Sequence, residues 1–193
     1  MKTVILGTAH GINVPGKCSP DGRLREWLYS RQVCLMVRDS LRQRGVKCII
    51  DIEAEREPSL AARIAMVNRL VAQHRDCIYV SIHNNAAGSD GCWHGARGFA
   101  AFVAPNASPQ SRRLAAIFHH SAVGAGLQGN RCYPPSGYYV QSLAVCRDTA
   151  CPAVLTENLF QDNRDDVDFL LSPSGRQSIV DLHVNAIIEY LGL

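Results

Sequence analysis

Two histidines, a glutamate and an asparagine pair stand where apolar runs of this chain end. His10 follows Val4-Ile5-Leu6 and precedes Gly11. His83 opens His83-Asn84-Asn85 directly after Cys77-Ile78-Tyr79-Val80-Ser81-Ile82. Glu157 interrupts an apolar run, Ala153 to Thr156, on its way into Leu159-Phe160. A carboxylate in such a place is partly buried, and a buried carboxylate needs a cation, a metal or a proton. Neutral imidazole and carboxylate oxygen both suit zinc, and a catalytic zinc keeps one position open for water. A second carboxylate beside that water can act as general base and pass the proton on to a leaving amine. The set therefore fits hydrolysis of an amide. Residue types alone leave the ligands open. His94 in a loop competes, as do His74 and the His119-His120 pair, although those three fall near helix ends or on helix faces and read as solvated. Glu26 opens a helix, where the positive end of the helix favours any carboxylate.

These groups need elements that bring them together. Cys77 to Ile82 is a strand buried on both faces, and Lys2–Leu6 and Ala153–Glu157 read the same way. If the three run parallel, His10, His83 and Glu157 converge on one sheet edge, the carboxyl edge where open α/β sheets bind ligands. Residues 12–25 form a loop, followed by a helix from about Glu26 to Arg44 that Gly45 stops. Val46–Ile50 is a strand, and Pro58-Ser59 opens a helix with Leu60, Ile64, Val67 and Val71 on one side. A glycine-punctuated loop, 88–98, leads to a strand at Phe99–Val103. Ser108-Pro109 caps a helix reaching about Gly124. Residues 125–137 are loop, Tyr138–Val145 a short strand or hairpin, and Ser172-Pro173 caps a closing helix that reaches Leu191. Strands alternating with helices predict a single α/β domain spanning 1–193. Its sheet is mixed but largely parallel, about six strands flanked by helices on both faces.

Composition limits the alternatives. A chain of 193 residues with 47% apolar and 19% charged residues builds its own core and is not disordered. A net charge of +3 is too small to argue for nucleic acid. No stretch approaches the ~20 apolar residues of a membrane span. Met1-Lys2 runs straight into the first strand without a leader, so the chain is expected to stay in the cytoplasm as made. The eight cysteines include no C-x-x-C pair. Cys34, Cys48 and Cys77 fall inside helix or strand patterns as small core residues, and the set reads as reduced thiols. Cys18, Cys92 and Cys132 lie in loops, where one could be reactive.

The motifs resemble the zinc-dependent N-acetylmuramoyl-L-alanine amidases of the amidase-3 type along nearly the whole chain. Thr8-Ala9-His10-Gly11 is similar to that family's glycine-histidine-glycine turn, and Arg25-Glu26 to its metal-binding glutamate. Leu60 to Asn68, with Arg63, resembles the helix before the central strand. Ser81-Ile82-His83-Asn84-Asn85-Ala86 is close to Ser-Ile-His-Ala-Asn-Ala. Arg147-Asp148-Thr149 and Pro152 to Glu157 resemble the segment with the catalytic glutamate. The resemblance implies zinc held by His10, Glu26 and His83, with Glu157 as catalytic acid/base. It raises Glu26 from a helix opener to a ligand. It also implies a peptidoglycan substrate cut between the lactyl group of N-acetylmuramic acid and L-alanine, by a monomer acting on the cell wall as a phage-type lysin or a remodelling amidase. Asn85 is a candidate to hydrogen-bond substrate, and Arg63 and Arg147 are weaker ones. The chain departs from the family at Gly7-Thr8-Ala9, where Asp-Pro-Gly is usual, and at Asn158-Leu159-Phe160 after the glutamate. Two other readings remain: a cysteine-dependent amidohydrolase pairing a loop cysteine with His94 or His83, and a wall-binding domain without activity. The presence of Glu157 counts against the second.

Overall fold

The computed structural model describes residues 2–193. In chain order the elements are β1 (Thr3–Thr8), α1 (Glu26–Gln43), β2 (Cys48–Ile50), α2 (Leu60–His74), β3 (Cys77–Asn85) and β4 (Ala100–Val103). Then come α3 (Pro109–Gly124), β5 (Tyr139–Val140), α4 (Ala144–Arg147), β6 (Ala153–Phe160), α5 (Arg164–Leu171) and α6 (Pro173–Leu191). One six-stranded sheet runs in the order β2-β1-β3-β6-β4-β5. All neighbours are parallel except β4 and β6. This is the mixed, largely parallel α/β domain that the sequence predicts.

Side chains alternate across each strand and so feed two cores. Val4, Leu6, Ile78, Val80 and Val154 face a large cluster built with Val33 and Val37 of α1, Leu114 and Phe118 of α3, and Ile179 and Ile187 of α6. Ile5, Tyr79 and Leu155 face the other way, onto Val67 and Val71 of α2 and Cys146 of α4. Helices therefore cover both faces, and that is why the central strands read as unbroken apolar runs. The serines expected to cap helices do so: Ser59 accepts from the Ala62 N–H, Ser108 from Ser111 and Ser172 from Gly175.

The structure corrects the sequence in two places. The strand or hairpin expected over Tyr138–Val145 is a strand only at Tyr139–Val140, and the chain then turns into the one-turn helix α4. A further helix, α5, fills the stretch after β6, capped by the Asn163 side chain on the Asp166 N–H. Outgoing connections from β1 and β3 lead to opposite sides of the sheet, through α1 to β2 and towards β4. The crevice at such a switch point is where open α/β sheets bind ligands.

Candidate metal centre and active site

The strand register sets the site. Thr8 pairs with Ile82, and His83 pairs with Glu157, so the ends of β1, β3 and β6 lie side by side. His10 follows two residues beyond β1, at a positive φ of 42°, a conformation that costs a non-glycine residue about 1–3 kcal/mol. Helix α1 holds this turn in place. Ser30 Oγ accepts from the Ala9 N–H (2.8 Å) and donates to the Ile82 carbonyl (2.6 Å). The Arg31 guanidinium donates to the carbonyls of Ala9 (3.1 Å) and His10 (2.9 Å). At β6 the register slips by one residue: His83 pairs with Glu157, but Asn85 pairs with Phe160. The bulge puts Leu159 at a φ of 63° and re-aims the strand just past Glu157. Asn158 Nδ2 stitches it to the His83 carbonyl (2.9 Å), while Asn84 Nδ2 donates to the Asn158 carbonyl (2.6 Å).

Three donor groups meet here. One ligand atom each from His10, Glu26 and His83 lies within 4.8 Å of the others. Glu26 stands between the imidazoles, with Oε1 3.1 Å from His83 Nδ1 and Oε2 3.5 Å from His10 Nε2. Opposite ring nitrogens are also engaged. His83 Nε2 lies 3.1 Å from Ser81 Oγ, and His10 Nδ1 lies 3.5 Å from Glu57 Oε2. Burial opposes charge on each group. It prevails at His10, whose pKa is lowered although Glu26 pulls it up. At His83 the hydrogen bond and charge of Glu26 outweigh burial and raise the pKa. Glu26 is held below the usual carboxylate range because the imidazoles outweigh its own desolvation.

Chemistry of the donors tests whether a metal fits. Glu26 is 2% exposed, and among the described residues its only ion-pair partners are these two imidazoles. A carboxylate so deeply buried, with no lysine or arginine on it, calls for a cation. Two nitrogen donors and one oxygen donor, with outer contacts fixing the rings, suit zinc with an open fourth position.

Glu157 is adjacent but outside this trio. Its Oε2 is buried without a hydrogen-bond partner, and desolvation, opposed by the charge of His83, pushes its carboxyl up to about 7. Lys17 and Arg131 pull it the other way, yet neither forms an ion pair with it. Asn85, at the end of β3, uses Oδ1 to accept from the Ala86 N–H at 2.9 Å. A cleft of about 450 Å³ opens beside His10 and His83, lined by Glu57, Leu60, Leu143, Val145 and Leu155 among others.

The competing residues lie elsewhere. His94 pairs with Asp90 at 2.9 Å in an exposed loop, His74 sits 3.2 Å from Lys47, and the His119 ring leans on Tyr133 at 4.4 Å. Arg63 is buried in an ion pair with Asp51 at 2.7 Å, a structural contact. Arg147 pairs with Asp148 and lines a separate cleft with Asn106, Thr149 and Pro152, before the start of β6, so it is not brought to the site. Cys34, Cys48 and Cys77 are buried as expected, while Cys18, Cys92 and Cys132 are not. No cysteine joins the metal cluster. Sequence reasoning missed Asp51, whose carboxylate accepts from the Tyr79 hydroxyl (3.0 Å) and the Thr8 N–H (3.0 Å). Gly7 makes room for this, since a Cβ there would lie 2.2 Å from Tyr79 Oη. His183 was also missed. It is fully buried in α6, with Nε2 3.0 Å from Thr156 Oγ1 and Nδ1 donating to the Ile179 carbonyl at 2.8 Å.

The chain is 27% identical over 195 residues to N-acetylmuramoyl-L-alanine amidase CwlM of Bacillus licheniformis, covering 100% of this chain and 70% of that one. It is 30% identical over 122 residues to the endolysin of Bacillus phage SPP1, covering 60% and 41%. The catalytic domain of CwlV, an N-acetylmuramoyl-L-alanine amidase from Bacillus (Paenibacillus) polymyxa var. colistinus, shares its fold. That match has a TM-score of 0.82 at 21% identity and covers 100% of this chain and 99% of that one. The family model described as N-acetylmuramoyl-L-alanine amidase matches residues 4–189, and with that match over almost its entire length the chain belongs to this family.

Proposed function

We propose that this protein is a zinc-dependent N-acetylmuramoyl-L-alanine amidase, hydrolysing the amide between the lactyl group of N-acetylmuramic acid and L-alanine in peptidoglycan. The observation that carries the reading is the His10–Glu26–His83 trio, with Glu26 buried between two half-buried imidazoles, and an unpaired Glu157 oxygen beside it. His10, Glu26 and His83 would hold the ion. A bound zinc supplies a Lewis acid for a carbonyl oxygen and lowers the pKa of water at its open position towards neutrality. The chain's own residues do the rest. Glu157, raised towards neutral pH, accepts a proton from the attacking water on its free carboxylate oxygen. It then returns the proton to the alanyl nitrogen as the C–N bond breaks. The products are a lactyl carboxylate and a free amino terminus. Asn85, at the lip of the site, hydrogen-bonds substrate. Among the described residues no helix is long and apolar enough to cross a membrane. We read the protein as made in the cytoplasm and working on the wall as a monomer. Likeness to both a bacterial amidase and a phage endolysin leaves remodelling and lysis as two uses of one reaction.

Digestion of purified peptidoglycan tests the reading. It should release new L-alanine amino termini and no new reducing sugar ends. 1,10-Phenanthroline should abolish that release and added zinc restore it, while iodoacetamide leaves most of it. Reducing ends without new amines would make the protein a glycosidase. Loss under iodoacetamide with no chelator effect would move the chemistry to a cysteine.

A further inference from the structure

Arg131 has no task in the scheme above. It belongs to the loop between α3 and β5, and its guanidinium lies over two rings. The centroid of Tyr139 is 4.9 Å away and that of Phe160 is 5.3 Å away. Phe160 ends the strand that carries Glu157. Tyr139 is itself fixed, stacked on Phe102 at 5.2 Å and donating its hydroxyl to the Cys132 carbonyl at 2.7 Å. Contact with ring faces satisfies none of the guanidinium N–H donors. Among the described residues those donors find nothing. Arg131 makes no ion pair and no side-chain hydrogen bond, and its Nε is buried without a partner. A buried polar group left unpaired costs about 1–3 kcal/mol, so this one calls for an explanation.

Position separates Arg131 from the other arginines on aromatic rings. Arg31 and Arg113 spend donors on backbone carbonyls. Arg176 also has a partnerless Nε, but it leans on Tyr29 at 5.9 Å, in α1, and Arg164, likewise without an ion pair among the described residues, leans on Trp93 at 4.5 Å, in the loop before β4. Only Arg131 among them lies on Phe160, which is three residues along β6 from Glu157 and pairs with Asn85 across to β3.

A rigid, planar fork of donors is matched to carboxylate. In a muramoyl peptide the lactyl carboxyl is consumed in the amide, so any free carboxylate lies on the peptide. We infer that Arg131 is a substrate-binding residue whose guanidinium edge takes a free carboxylate of the peptide, on the leaving side of the scissile bond. The inference rests on reading Glu157 as the catalytic centre. It makes the enzyme selective for acidic stem peptides over amidated ones.

Two probes test it: N-acetylmuramoyl-L-alanyl-glutamate and the same compound with both glutamate carboxyls amidated. For the zinc-loaded protein, kcat/KM should favour the acid by about 10–100-fold, mostly through KM, as expected for one charge-assisted contact. Arg131→Gln should collapse that ratio to about 1–3, and Arg131→Lys should recover part of it. Calorimetric binding of both probes to the Glu157→Gln protein reads the same preference without turnover, so a failure of the amidase reading is separable from a failure of this one. Equal handling of the two probes by the parent protein, no binding of either, or a preference that survives Arg131→Gln would overturn the inference. Should Arg131→Gln fold poorly, the ratio in Arg131→Lys decides, because the charge stays and the fork is lost.

Discussion

At the scale of single residues, the site depends on where a buried charge finds its partner. Glu26 reads from the sequence as one more acid at a helix start, and only the family resemblance raised it to a ligand. In the fold it is among the most deeply buried carboxylates and faces two imidazoles. Asp51 was not legible at all. It follows a short strand, as a surface turn acid would, yet it anchors Arg63, Tyr79 and Thr8 beneath the His10 turn. Burial of a charge is decided by contacts 12 to 43 residues away, which no local pattern carries. Asp51→Ala should therefore cost about 3–5 kcal/mol by leaving Arg63 buried and unpaired. Urea unfolding reads this as a lower midpoint at unchanged slope. A loss below about 1 kcal/mol would mean that Arg63 finds water or Glu57 instead.

Among the elements, those with a strong period were readable and those set by tertiary contact were not. Strands β1, β3 and β6 announce themselves because a parallel sheet buried on both faces leaves a continuous apolar run. The short helix α5 hides because its eight residues span barely two turns, too few for a 3.6-residue period to repeat. Asn163 was the available signal, a good N-cap residue in front of it. Tyr138–Val145 misled because its residues suit a strand, while only two of them find a neighbour in β4. The bulge in β6 was equally silent; it follows directly after Glu157, and Asn158 within it ties the strand to β3. Asn158→Ala removes the Nδ2 bonds to the His83 carbonyl and Thr156 Oγ1. Turnover should fall by about 10–100-fold while zinc content stays near one per chain, since a small misplacement of a reacting group is enough for that. Unchanged turnover would show that the bulge holds without its stitch.

For the molecule as a whole, two cores on either side of one sheet carry stability, and the larger encloses a histidine. Burial lowers the pKa of His183 from 6.5 to about 4, with its bond to the Ile179 carbonyl working weakly against the shift. The unfolded chain binds that proton more readily than the folded one. The contribution of neutral His183 is thus complete above about pH 6.5 and is lost as pH falls towards 4. A shift of this size is worth about 3 kcal/mol over that window. His183→Leu should be less stable than the parent at pH 8, and the gap should narrow or reverse at pH 4. A gap independent of pH would mean that His183 binds its proton equally well in the folded and the unfolded chain.

The measurement that bears most directly on the account sets zinc content against turnover in two variants. Glu157→Gln should keep about one zinc per chain and lose ~10²–10⁴ in turnover, the usual worth of a positioned acid/base. His83→Ala should lose both the metal and the activity. A Glu157→Gln protein that purifies without zinc would make Glu157 a ligand, and one that turns over near the parent rate would remove it from the mechanism.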